Sequence, residues 1–159
     1  DWNPPTGWPW KETAVGHNGP GVDCSNLTAF TYDQAAGIVL DGDVHKQAET
    51  REARQGNGRL PAMRITLPAT VEERAKALRT GDLLYIRNKS GIISHVVLWV
   101  GSIGAGKDGA ATHLVLDSHG EGEKDDNGAP IPVGVRLRPY RQGEWYHKSA
   151  SHAIRLIAD

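Results

Sequence analysis

The sequence predicts an α+β fold, with N-terminal helices packed on an antiparallel sheet of about five strands. Two observations carry this. Between residues 24 and 79 the chain offers helical stretches with recognisable caps. From residue 82 it falls into short β-rich runs, DLLYIR, HVVLWV, THLVLD, VGVRLRP and HAIRLI, separated by Gly, Asn, Asp and Pro clusters. Helices grouped ahead of strands, without an internal repeat, are the order of an α+β domain rather than of alternating βα units. A length of 159 residues fits one domain with one core, here spanning residues 1–159.

Taken in order, the first segment is an arm over residues 1–22. Trp2, Trp8 and Trp10 are interleaved there with Pro4, Pro5, Pro9 and Pro20 and with Gly7, Gly16, Gly19 and Gly21. That punctuation predicts irregular, packed chain. Its aromatic rings are expected to cover the core, and Trp10 is the one taken to line a substrate cleft. A helix over 24–37 follows, with Asp23 as N-cap, Gly37 as stop, and Leu27, Phe30 and Ala35 on one side. A second, strongly polar and exposed helix is expected over 43–54, ended by GNG at 56–58. A third runs over 71–79, where Thr70 and Glu73 have capping-box spacing. GEGEKDDNGAP, residues 120–130, predicts a mobile surface loop.

Composition narrows the function classes. Hydrophobic residues make up 38% and charged residues 23%, a globular balance. The net charge is −1 and the pI about 6.7, so there is no basic excess to neutralise phosphates, and nucleic acid is excluded as the expected partner. No apolar run is long enough for a membrane span. The opening DWNPPTGWPW lacks the charged start and apolar core of a signal peptide; a removed leader, a piece of a longer protein, or a chain without a leader all fit. The single cysteine rules out an internal disulfide.

That cysteine carries the chemistry. With Asp23 as cap, Cys24 is the first helical residue, where unpaired N–H groups favour negative charge and so a thiolate. The same N–H groups are suited to an oxyanion. GPGVDCSN also supplies a glycine-rich approach that lets substrate near the backbone. The base is expected to be His95, at the mouth of the apolar strand HVVLWV. If 95–100 and 112–117 form a hairpin, the end of THLVLDSHG lies beside His95. Asp117 and His119, two apart on one strand face, are then both available to orient it. His17, His45, His113, His147 and His152 have no comparable placing and are expected at the surface. No paired-ligand spacing such as HExxH or CxxC occurs, so neither a metal nor another cofactor is expected.

GVDCSN, LRTGDLLYI, ISHVVLWVG and LVLDSHG, in that order, resemble the NlpC-type papain-like cysteine peptidases of bacterial cell walls. The resemblance covers roughly residues 8–120. It implies a papain-like fold, a nucleophile-bearing helix packed on a small antiparallel sheet. It also implies hydrolysis of amide bonds in peptidoglycan stem peptides, often next to a D-glutamyl γ-linkage. Carried over, Cys24 is nucleophile, His95 base and Asp117 third residue, with His119 the alternative. Asp23 and Ser25 fall at positions that help hold substrate polar groups. The chain departs from the family pattern at Asn26, where Gly is usual, at Asp117, where His is common, and in WPWKETAVGHNGPG, which replaces an aromatic and two glycines. The resemblance further implies a secreted, periplasmic or cell-wall-associated protein, expected to act as a monomer. Two other readings stand beside it: a related papain-like hydrolase or secreted toxin acting on another amide or ester, and a non-catalytic binding module of the same fold.

Overall fold

The computed structural model describes residues 15–16, 19–20, 22–105, 111–120, 122, 124, 128 and 130–157. Most of the arm, including Trp2, Trp8 and Trp10, and most of the 120–130 loop lie outside them. Within the arm, β1 (Val15–Gly16) pairs with β2 (Gly19–Pro20).

Helix α1 spans Cys24–Ala36. The Asp23 carboxylate accepts the Asn26 N–H at 2.8 Å, satisfying one donor of the first turn, and Gly37 ends the helix with a φ of 63° that a side chain would oppose. Leu27, Ala29 and Tyr32 are buried, and Phe30 half-buried, but Ala35 is exposed, which corrects the expected apolar side. Polar Ser25, Asn26 and Thr28 are buried instead, because the first turns of α1 pack on a polar neighbour rather than an apolar one.

That neighbour comes from the segment the sequence misassigns. After β3 (Ile38–Val39), the expected helix over 43–54 is replaced by a single-turn α2 (Val44–Ala48) and then β4 (Glu52–Gln55), which forms a hairpin with β5 (Gly58–Pro61). Strands β3, β4 and β5 make a small antiparallel sheet. Glu, Ala, Arg and Gln favour helix individually, but the two-residue turn at Gly56 and Asn57, with Gly56 at a φ of 54°, folds the run back on itself. On α2, Gln47 is fully buried. Its amide donates to the carbonyls of Asp41 at 3.0 Å and Ser25 at 3.3 Å, and its oxygen meets Thr28 Oγ1 at 3.0 Å and the Tyr85 hydroxyl at 3.3 Å.

The central sheet has six antiparallel strands, one more than expected, in the order β10-β9-β8-β7-β11-β6. Their ranges are β6 Met63–Ile65, β7 Leu83–Arg87, β8 Ile93–Ala105, β9 Ala111–His119, β10 Gly134–Pro139 and β11 Ala150–Arg155. The extra strand, β6, is only three residues long and pairs on the outer side of β11. Helix α3 (Val71–Ala77) carries the expected Thr70–Glu73 capping box, and a five-residue α4 (Trp145–Ser149) precedes β11.

The sheet is covered on both faces. Leu83, Tyr85, Val96 and Ile154 pack with Ala29 and Tyr32 of α1, Ile38, Leu40, Ala48 and Ala53. Leu84, Ile86, Val97, Trp99, Val115 and Ala153 pack with Val71 of α3, Tyr140 and Tyr146 of α4. This explains why LLYI in β7 reads as a continuous apolar run: all four side chains are fully buried. His147 and His152, expected at the surface, are buried, each with Nε2 on a backbone carbonyl, of Ala69 at 2.9 Å and of Ala48 at 3.0 Å. Packing of α4 and β11 against the core overrides their polarity because those carbonyls satisfy the rings.

Gln47 links the nucleophile helix to α2 and β7. Gln47→Leu strands the Tyr85 hydroxyl and the Asp41 carbonyl, and is expected to cost about 2–4 kcal/mol, read as a lowered urea midpoint at unchanged m-value.

Candidate active site

Five elements converge on one end of the sheet. The start of α1 presents Cys24, a free, half-buried thiol. The start of β8 presents His95, beside a register shift in the β7–β8 pairing between Ile86 and Arg87, the kind of irregularity that re-aims a side chain. The end of β9 presents Asp117 and His119. Strand β10 adds Arg138, and α4 adds Trp145 and Tyr146.

The His95 ring connects the thiol to the carboxylate. Its Nε2 lies 2.7 Å from Asp117 Oδ1, and the Cys24 thiol acts on the same ring. Trp145 lies over this ring at 5.7 Å between centroids, and over His119 at 6.1 Å. Asp117 has no exposed surface. Its Oδ2 meets His119 Nε2 at 2.7 Å and Arg138 Nε at 3.1 Å, and it accepts the Tyr146 hydroxyl. His119 Nε2 is also 3.2 Å from that hydroxyl.

The two strand-end residues that the sequence offers as alternatives are therefore neighbours: Asp117 hydrogen-bonds His95, whereas His119 meets the other carboxylate oxygen of Asp117 and lies with its ring centroid 4.9 Å from that of His95. Asp23 and Ser25 flank the thiol but are engaged. Asp23 caps α1, and Ser25, buried, donates to the Gly42 carbonyl at 2.6 Å while lying 3.2 Å from Asp23 Oδ1. Trp10 lies outside the described residues. Arg138, Trp145 and Tyr146 were not found by sequence reasoning. The aromatic pair in EWYHK was the available signal, but a five-residue helix is too short to show a period.

The electrostatics follow from this packing. Burial pushes the His95 pKa down, but the hydrogen bonds to Asp117 and Cys24 outweigh it and lift it to about 10. Burial also pushes Asp117 upward, and the hydrogen bonds from His119, His95 and Tyr146, with the His95 charge, reverse this and hold the carboxyl well below the ordinary carboxylate range. The set thus favours an imidazolium between a thiol sulfur and a carboxylate.

His95, Asp117 and His119 also bring ligand-type atoms within 4.8 Å of one another, as a metal site does. Their closest N···O separations, 2.7 Å, are hydrogen-bond lengths. Two ligand atoms on one tetrahedral zinc sit about 3.3 Å apart, so the geometry is that of a hydrogen-bonded chain.

Helices packed on an antiparallel sheet, with a thiol at a helix start facing the mouth of a strand, make this a papain-like α+β protein. The NlpC/P60 family profile matches residues 10–122, well over half of the chain, and the chain belongs to that family. NlpC/P60 proteins are generally cysteine peptidases and amidases, typically extracellular or associated with the cell wall. No curated protein matches the chain. Among the described residues, no helix is long and apolar enough to cross a membrane.

The His95–Asp117 pair has a pH signature. His95, raised in the folded state, contributes stability that is complete below its unfolded value of about 6.5 and is lost as the pH rises toward 10. His95→Gln is therefore expected to flatten the alkaline decline of the melting temperature above about pH 6.5. Asp117, lowered in the folded state, acts at the other end: its stabilisation is present above about pH 4 and lost on acidification.

Proposed function

We propose that this protein is a cysteine hydrolase that cleaves amide bonds in peptidoglycan stem peptides, as an endopeptidase or amidase. The observation that carries this reading is the chain from Cys24 through the His95 ring to the fully buried Asp117. Membership of NlpC/P60 supports the substrate class and a secreted, periplasmic or cell-wall location. Asp23, Ser25 and Trp10 are proposed to border the substrate, and no cofactor takes part in the reaction.

In this mechanism the Cys24 thiolate attacks the scissile carbonyl carbon. The resulting oxyanion is stabilised by N–H groups at the start of α1. The tetrahedral intermediate collapses as Nδ1–H of the His95 imidazolium protonates the departing amine, leaving an acyl-thioester on Cys24. Neutral His95 then takes a proton from water, which attacks the thioester, and the tetrahedral intermediate expels the Cys24 thiolate, so that the acid product leaves as the thiolate–imidazolium pair reforms. Asp117 accepts Nε2–H throughout, fixing the ring and stabilising its charged state.

Digestion of muropeptides, read by mass spectrometry, tests the substrate. Cleavage by the native chain and none by Cys24→Ala, with the circular dichroism spectrum kept, is expected. Native chain that labels rapidly with iodoacetamide yet leaves muropeptides intact points to another amide or ester. Failure of both points to a binding module. Cys24→Ser is expected to lose most turnover, because a hydroxyl ionises far less readily than a thiol. Asp117→Asn is expected to lower kcat/KM by about two to four orders of magnitude, and His119→Ala by less, since it is Asp117 that accepts the hydrogen bond of the His95 ring. The reverse order in folded variants makes His119 the third residue.

A further inference from the structure

Strand β10, with Val133 just before it, alternates Val135 and Leu137 with Arg136 and Arg138. Ordinarily the apolar set of such a strand turns inward. Here Val133, Val135 and Leu137 are 50%, 46% and 53% exposed, while Arg138 is 8% exposed. Strand β10 runs beside β9 with Arg136 opposite Asp117 and Arg138 opposite Val115, so Arg138 is the diagonal neighbour of Asp117 on one face. Its terminal nitrogen donates to the Pro132 carbonyl at 2.6 Å, which aims the guanidinium. Its Nε is 3.1 Å from Asp117 Oδ2, yet that N–H has no aligned acceptor. The contact is thus a buried charge pair rather than a directed hydrogen bond.

We infer that Arg138 is a positioning residue for the Cys24–His95 pair, serving as the buried counter-charge that holds Asp117 in place behind the imidazole. The charged and titratable groups facing Asp117 are His95 from β8, His119 from β9, Arg138 and the exposed Arg136 from β10, and Tyr146 from α4. Cys24 of α1 faces the far side of His95. Thiolate, imidazolium and carboxylate together carry one net negative charge, and Arg138 cancels it. Without Arg138, Asp117 has two options. It stays ionised and adds uncompensated negative charge near the sulfur, or it takes up a proton and no longer supports the imidazolium. Both make the reactive thiolate form only at higher pH. The inference rests on the catalytic reading of Cys24, His95 and Asp117, but it is tested without substrate.

The experiment is the rate of Cys24 alkylation by iodoacetamide across pH, on the whole chain, with folding checked by circular dichroism. Arg138→Met is expected to move the acid-side half-point up by about one pH unit or more, a roughly tenfold slower labelling on that limb. Arg138→Lys, which keeps the charge, is expected to leave it within about 0.3 unit. Arg138→Gln replaces Met if the latter does not fold. In an Asp117→Asn background the Arg138→Met shift is expected to shrink to a small fraction of its native size. An unmoved limb in folded Arg138→Met or Arg138→Gln, or an equal shift in both backgrounds, overturns the inference. Muropeptides left intact alongside a normal shift overturn the substrate reading alone.

Discussion

Asp117 is a carboxylate with no access to water, and most of the arrangement at this end of the molecule can be traced to that fact. An uncompensated buried carboxylate costs several kcal/mol. The compensation comes from side chains on four separate elements: His95 on β8, His119 on β9 itself, Arg138 on β10 and Tyr146 on α4. Each must be in position for the anion to be tolerated. The sheet register, the seat of α4 and the orientation of the His95 ring are therefore settled together. A network of this kind is valuable when complete and costly when partial.

The nucleophile side is built on a second polar cluster. Gln47 ties the first turns of α1 to α2 and β7 through Ser25, Thr28, Asp41 and Tyr85. Ser25 adds a bond to the Gly42 carbonyl. The thiol thus stands on a helix end held by hydrogen bonds from one side, while the imidazole is held by charge from the other.

Physical reasons separate what could be read in the sequence from what could not. The start of α1 was legible because a cap, a thiol and a glycine-rich approach lie within eight residues. The strand order from β7 to β9 was legible because β-rich runs are long there and bounded by turn residues. The 43–54 segment was misread because helix formers populate β4, and only the Gly56–Asn57 pair signals the hairpin. The i, i+2 spacing places Asp117 and His119 on one face, but spacing alone does not reveal which of them hydrogen-bonds His95. Arg138 was hidden because its strand leaves Val135, Arg136 and Leu137 exposed and buries one arginine against an anion on the next strand, a partner that no local pattern encodes.

The family match ends at residue 122, whereas Arg138, Tyr146 and β11 all follow it. Strand β11 is not a terminal ornament; it lies inside the sheet, between β7 and β6. A chimera joined at residue 122 keeps Cys24, His95, Asp117 and His119 but opens the sheet along β7 and leaves Asp117 without its cation and its tyrosine. The transferable unit is consequently larger than the recognisable one.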